Sequence, residues 1–416
     1  MRAGPPALPG VKSTMATRQI SSDLRGASRL AIAATVGVTD LVETMHRTIA
    51  SVPAPLGKAE AGPARGIAGL VYGAVRGTTR AVGGGIDTAL ALLTPMMLGE
   101  GSAWPGRNRV LAALNGILGD YLAQTGNPLA IPMQLRCDGE ALQIEPAALA
   151  RRFPQASDKL LVLVHGLCMN DLQWKRGGHD HGETLASALG CTPLYLNYNT
   201  GLHVSTNGRE FAGLLEQLVK AWPVPVSEVT IVGHSMGGLV ARSAVHCAQR
   251  EAHAWPRRLR SLVFLGTPHH GAPLERGGHW VDVILGASPY TAAFNRLGRV
   301  RSAGITDLRH GSLLDSDWQG SDRFAHGHDT RTPLPLPKGV ACYAIAATAG
   351  PEAGKTAPRF IGDGLVPIDS ALGRHHDAKR ALAFPQAHTW VAHETHHLEL
   401  LESAAVCEQM QRWLSR

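Results

Sequence analysis

The sequence predicts an α/β fold on a mostly parallel sheet with helices on both faces, and three features point to it. Short apolar runs alternate with helix-patterned segments across the C-terminal two-thirds of the chain. One of those runs drives straight into a serine bracketed by glycines, with a helix-forming run at once behind it. The chain is also long and apolar enough, at 416 residues and 44% hydrophobic, to bury a core of that size.

The apolar runs are Leu160–Val164, Pro193–Tyr198, Val229–Val232, Leu262–Leu265 and Val340–Ala346. Helical segments such as Phe211–Trp222 and Leu239–Ala248 lie between them. A strand followed by a helix and another strand has to return to the same end of the sheet, so the strands run parallel and need cover on both faces. Ahead of them, Met133–Cys137 and Leu142–Glu145 flank Asp138-Gly139, a turn pair that tolerates positive φ and predicts a hairpin.

The most informative stretch runs from Val229 to Val240. Its β-branched residues lead into Gly233-His234-Ser235-Met236-Gly237, and the helix pattern resumes at Leu239. A serine on so sharp a strand-to-helix turn has its hydroxyl exposed at the end of the sheet. Glycines at 233 and 237 are needed because the backbones at the turn approach too closely for a Cβ.

Residues 1–20, rich in proline and glycine, are expected to be disordered, and residues 21–130 to form a helical N-terminal region. A helix pattern begins at Ser21-Ser22 and continues to Ile49, before Pro53 and Pro55. A second runs from Ile67 to Leu93, with a small-residue stripe of Gly69, Gly73, Gly77, Ala81 and Gly85 at four-residue spacing. Such a stripe suggests close approach by another helix or by lipid. A third spans Val110–Leu122 and is stopped by Gly126-Asn127-Pro128. The sheet domain is expected over residues 131–416.

The net charge of +7 is placed unevenly. Residues 1–130 hold twelve Lys/Arg against seven Asp/Glu. No basic cluster carries interleaved aromatics, which argues against nucleic-acid binding. No uncharged apolar stretch is long enough to span a bilayer, since Arg76, Arg80 and Asp87 cut the best one. Six scattered cysteines without paired spacing are read as reduced thiols. With no apolar leader at the N-terminus, they favour the cytoplasm, with peripheral membrane contact through residues 64–98 and a homodimer as further expectations.

Residues 131–416 resemble a bacterial lipase or esterase of the α/β-hydrolase superfamily. The residues that carry the resemblance appear in order: Val164-His165-Gly166-Leu167, the Ser235 turn, Gly266-Thr267-Pro268-His269-His270-Gly271, Gly362-Asp363-Gly364 and His396-His397-Leu398-Glu399-Leu400-Leu401. Serine, acid and histidine in that order match the topology of the fold. The chemistry needs each type. A serine hydroxyl becomes nucleophilic when an imidazole takes its proton, and a carboxylate must hold that imidazole in the right tautomer.

Ser235 is the expected nucleophile. Asp363, on a glycine-flanked loop after a strand, is the expected acid, with Asp369 and Asp315 as weaker choices. The resemblance implies that His397, directly before the Leu-Glu-Leu-Leu run, is the base, with His396 as the alternative and a helix over Leu398–Val406 behind them. It also implies an oxyanion hole from the backbone N–H groups of Leu167 and Met236.

The insertion over residues 274–337 contains Trp280, Val283, Ile284, Tyr290 and Phe294. In this superfamily it implies a lid and acyl-chain wall, hence an apolar acyl-ester substrate. Within it, the run Arg301–Leu308 has no assigned role. No cofactor and no metal are expected: His179, His181, His326 and His328 are read as surface-loop histidines. The leading function is serine ester hydrolysis. An acyltransferase or thioesterase on the same three residues stays open. So does a lipid-surface or granule-binding protein acting through its N-terminal helices.

Overall fold

The computed structural model describes residues 22, 25–29, 107–272, 302–320, 329–350 and 362–415. Most of the helix pattern from residue 21, the whole Ile67–Leu93 pattern with its glycine stripe, Trp280 to Phe294 of the insertion, and His326 and His328 lie outside them. Two compact units divide the chain, one of residues 1–107 with 122–130, the other of residues 108–121 with 131–416.

The larger unit is built on an eight-stranded sheet. Its strands are β1 (Gln134–Cys137), β2 (Glu140–Ala141), β3 (Lys159–Val164), β6 (Thr192–Asn197), β7 (Glu228–His234), β8 (Leu259–Leu265), β9 (Ala341–Ala347) and β10 (Thr389–Ala392). A separate two-residue pair, β4 (Lys175–Arg176) and β5 (His179–Asp180), forms a small hairpin. The sheet order is β10-β9-β8-β7-β3-β6-β1-β2, parallel from β10 to β6. Only β1 runs the other way, antiparallel to both β6 and β2. Because the central strands are parallel, the loops after β3, β7, β8, β9 and β10 all emerge at one end of the sheet.

The longer helices are α1 (Arg107–Gln124), α3 (His181–Leu189), α4 (Val204–Ala221), α5 (Met236–Arg250) and α8 (Ala404–Leu414). Three short ones, α2 (Pro146–Arg152), α6 (Ala303–Asp307) and α7 (Ile368–Ala371), lie between them in the chain.

Alternation within each strand sorts the side chains into two cores. Leu160, Val162 and Val164 of β3 point to one face, with Leu194, Leu196, Ile231 and Phe264. Leu161 and Leu163 point to the other, with Val232, Val263, Leu265 and Ile345. Helices α4 and α5 cover the first face through Phe211, Leu215, Leu239 and Val240. Helices α3 and α8 cover the second through Leu185, Val406 and Met410. Burial on both faces explains why these strands read as continuous apolar runs. Each fully buried leucine contributes about 1.5–3 kcal/mol.

The hairpin turn falls where the sequence places it. Asp138 and Gly139 both have positive φ, 54° and 73°, and Cys137 pairs with Glu140. The returning strand is β2, however, not Leu142–Glu145, because a two-residue loop of this hand puts pairing immediately after the turn. The helix expected over Leu398–Val406 is also broken. A short 3-10 turn spans Glu399–Leu401, and α8 starts afresh behind Ser403, whose Oγ accepts from Val406 N–H.

Helix α1 comes from the segment read as N-terminal, yet its residues 108–121 pack within the sheet-containing unit. Two glycines allow it. A methyl group at Gly116 would overlap Cys168, and one at Gly119 would overlap the Asn199 amide. Asn199 Nδ2 donates to the Gly119 carbonyl (2.9 Å), and Ile131 N–H donates to Asn115 Oδ1 (2.9 Å). All six cysteines are free thiols. Among the described residues no helix is long and apolar enough to cross a membrane.

Candidate active site

Ser235 sits between β7 and α5 with φ 53° and ψ −124°, a backbone conformation that non-glycine residues rarely adopt. The surroundings hold it there. Its N–H donates to the Leu265 carbonyl (2.8 Å). Gly233 faces the Gly237–Gly238 backbone, and Gly237 faces the carbonyls of Val164 and His165, with no room for a Cβ at either place. The strain therefore belongs to a corner that crowded backbones on both sides impose.

Asp363 and His397 meet beside this corner. His397 Nδ1–H donates to Asp363 Oδ2 at 2.7 Å, and the His397 N–H donates to the Asp363 carbonyl at 3.1 Å. The other carboxylate oxygen, Oδ1, accepts from Leu365 N–H (3.0 Å) and Val366 N–H (2.8 Å). The pair is almost sealed from solvent, at 2% and 1% side-chain exposure. Gly266, with φ 56°, ends β8 directly under the pair, where a Cβ would press on His397 Cε1 and Asp363 Oδ2.

His234 bridges the two halves. Next to Ser235 in the chain, it packs its ring 4.8 Å from the His397 ring, and its Nε2–H donates to the His397 carbonyl (3.1 Å). Burial first, and then the neighbouring His397, push the His234 imidazole well below its usual range, so it stays neutral. No pattern in the sequence marks it as a positioning residue. Among the described residues Ser235 Oγ makes no hydrogen bond. The expected contact to His397 Nε2 is therefore not formed, while the contact of Asp363 to Nδ1 is.

The alternative assignments separate clearly. His396 is exposed, and its backbone N–H is taken by Glu399 Oε2 (2.7 Å). Asp369 pairs with Arg374 (3.3 Å) and Asp315 with Arg209, and neither carboxylate reaches a histidine of the site.

Leu167 follows β3 and Met236 opens α5. Among the described residues neither backbone N–H has a partner. Gly166 lies against Ser235, so near that a Cβ there would stand 3.0 Å from the serine Cβ. The loop after Leu167 is fixed by Cys168, at φ 59°, whose N–H donates to Thr200 Oγ1 (3.1 Å). His165 stacks on Tyr198, with ring centroids 4.5 Å apart, and burial pushes its imidazole down to about 4.

Within the unassigned run, residues 303–307 form helix α6, capped by Ser302. Buried Asp307 accepts from His203 Nδ1 (3.0 Å) and from Val204 N–H (2.7 Å), which anchors the start of α4. Gly304 packs on the Thr200 carbonyl and the Met236 side chain. No local pattern could have revealed this, because its partners lie about a hundred residues away.

The histidines read as surface-loop residues need correction. His181 is fully buried and His179 half-buried. The physical reason is that the β4–β5 hairpin folds back and places His181 at the buried first turn of α3.

A strained serine between a parallel strand and a helix, with an acid and a histidine on later loops at the same sheet end, defines the α/β-hydrolase fold class. Within that class, residues 156–333 match the family model described as the PGAP1-like alpha/beta domain. Solved structures similar to this chain include a lipase of Bacillus licheniformis in its mature form. It is 18% identical, with TM-score 0.39, over 61% of this chain and 91% of that one. An esterase of Pyrobaculum calidifontis is 12% identical, with TM-score 0.36, over 62% and 76%. A type II thioesterase of the yersiniabactin pathway is 14% identical, with TM-score 0.35, over 63% and 94%. Comparison with curated proteins gives no match.

Proposed function

We propose that the protein is a serine ester hydrolase acting on apolar acyl esters, with Ser235 as nucleophile, His397 as base and Asp363 as orienting acid. The observation that supports it most is the buried 2.7 Å contact from His397 Nδ1 to Asp363 Oδ2, beside the strained serine corner. A carboxylate on Nδ1 holds the proton there and leaves Nε2 as the basic nitrogen. The gap to Ser235 Oγ is compatible with this role, since such contacts often tighten only when substrate is bound.

In this reading Ser235 Oγ attacks the ester carbonyl carbon as its proton passes to His397 Nε2. The oxyanion is held by the N–H groups of Leu167 and Met236. The alcohol leaves with the proton from His397, and water then releases the acid from the acyl-enzyme by the same steps in reverse order. The test is labelling by a fluorophosphonate probe together with a series of p-nitrophenyl esters of rising chain length. Labelling confined to Ser235, with turnover rising from acetate to longer chains, is expected. Absence of labelling would end the hydrolase reading, and an acetate-peaked profile would replace apolar acyl esters with small ones. Turnover only with an acceptor other than water would favour an acyltransferase.

Peripheral membrane contact through residues 64–98 is a further part of the proposal. Binding of the whole chain to anionic liposomes should weaken with salt and with the double substitution Arg76→Ser, Arg80→Ser. Insensitivity to both removes it. A chain truncated to begin near residue 128 would be a poor comparison, because the truncation also removes the α1 residues that pack beside Cys168 and Asn199.

A further inference from the structure

A second cluster of reactive side chains lies at the corrected histidines. The β4–β5 hairpin turns through Gly177 and Gly178, with φ 56° and 81°. It is tied down by Arg176 Nε–H donating to Glu402 Oε1 (3.1 Å), just before α8. That places His179 of β5 and His181 of α3 against Cys407 of α8, and one ligand atom from each lies within 4.8 Å of the other two. His179 Nε2 and His181 Nδ1 are 2.7 Å apart.

The tautomers follow from the partners. His181 Nε2 faces the Leu400 carbonyl at 2.8 Å, and a carbonyl can only accept, so the proton is on Nε2. His181 Nδ1 then carries a lone pair, which accepts from His179 Nε2–H and has the Cys407 sulfur nearby. An imidazole that gives its far N–H to a backbone carbonyl and keeps its near nitrogen as a lone pair is arranged as metal-binding histidines are. Asp180, between the two histidines, is not free to join. Its Oδ1 accepts from Gly182 N–H, Glu183 N–H and the Tyr195 hydroxyl.

We propose that His179, His181 and Cys407 form a zinc site with a solvent molecule as fourth ligand. Imidazole and thiolate together select a borderline-soft ion, and zinc accepts such a set without redox chemistry. In tetrahedral zinc geometry the two nitrogens stand about 3.3 Å apart and each about 3.6 Å from the sulfur. The histidines therefore part slightly and Cys407 moves in by at most roughly 1 Å, within reach of small side-chain rotations. Binding replaces the His179–His181 hydrogen bond. His179 ligates as the Nδ1–H tautomer, both rings stay neutral, and the Cys407 thiol gives its proton to solvent.

The ion would staple the hairpin and the start of α3 to α8. Through the His181–Leu400 hydrogen bond it would also steady the segment that follows His397. The site differs from the proposed ester-cleaving one and can be tested without any activity measurement.

The experiment measures metal in the full-length protein purified without chelator, and the spectrum after cobalt replaces it. About one zinc per chain is expected, falling below roughly a tenth in His179→Ala, a half-buried position whose loss leaves the core intact. The cobalt form should show a sulfur-to-cobalt charge-transfer band in the near ultraviolet that disappears in Cys407→Ser. A chelator should lower the Tm of the wild type and leave that of His179→Ala unchanged. Wild-type protein with neither zinc nor the cobalt–thiolate band overturns the proposal. So does a band that survives Cys407→Ser, or equal zinc in wild type and His179→Ala.

Discussion

The corner that carries Ser235 and the loops that carry Asp363 and His397 are built in opposite ways. The corner is local. Strand, turn and helix are contiguous, and the glycines that permit the turn lie within four residues of the serine. Asp363 and His397 stand 34 residues apart, and His397 is 163 residues from the His234 ring it packs against. Strain in the backbone positions Ser235. Hydrogen bonds between loops, above a glycine that makes room for them, position the pair. One site thus combines a part specified by adjacency with a part specified only by sheet order.

The largest effect expected breaks both halves at once. Ser235→Ala and His397→Ala should each lower kcat by about 10⁴-fold or more, because either removes the proton-coupled nucleophile. Steady-state turnover of a p-nitrophenyl ester reads it, with circular dichroism to show that both variants fold. Activity of Ser235→Ala within tenfold of the wild type takes the corner out of the chemistry.

Asp363→Asn separates the halves. It keeps the shape of the loop but no longer fixes the Nδ1–H tautomer, so kcat should fall by about 10³–10⁴-fold with KM little changed. A loss below tenfold would show that the pair is only structural.

Gly119→Val tests whether α1 supports the loop region. The added side chain meets the Asn199 amide, and overpacking of this kind costs about 1–3 kcal/mol. The denaturant midpoint should drop accordingly. An unchanged midpoint would mean that α1 does not pack there in solution.

A smaller effect is expected from acid. Burial lowers the His165 pKa in the fold to about 4, below its unfolded value near 6.5. The stability this neutral ring contributes is complete above 6.5 and is lost as pH falls towards 4, because the unfolded chain binds the proton first. Unfolding midpoints measured from pH 7 to 4 should decline, and less steeply in His165→Gln. Equal slopes would show that His165 is not buried neutral. The smallest effect belongs to His396→Ala, expected within about threefold of wild-type kcat because the ring is exposed and Asp363 is held by His397 instead. A loss as large as that of His397→Ala would exchange the two assignments.

Much of the fold was legible in the chain of residues. The central strands read as continuous apolar runs because a parallel sheet buries both faces, and Asp138-Gly139 announced its turn because few residue pairs adopt two positive φ angles. Asp363 was legible as an aspartate on a glycine-flanked loop, and the structure brings it to His397. The second strand of the hairpin and the break before α8 were misplaced by a few residues, since pairing register and a serine cap, not apolar pattern, set them. His234 and Asp307 gave no signal, because the groups they orient are remote in sequence.

The alternation of strands and helices and the sharp glycine-flanked turn at Ser235 were legible in the sequence alone. They rest on local periodicity and on steric limits that act within a few residues. Tertiary structure was needed to show that His397 and not His396 meets Asp363. It was needed equally for the packing of the α1 residues beside Cys168 and Asn199, and for the approach of His179 and His181 to Cys407. Those contacts join segments up to more than two hundred residues apart, and only the crossing of strands in the sheet brings them together.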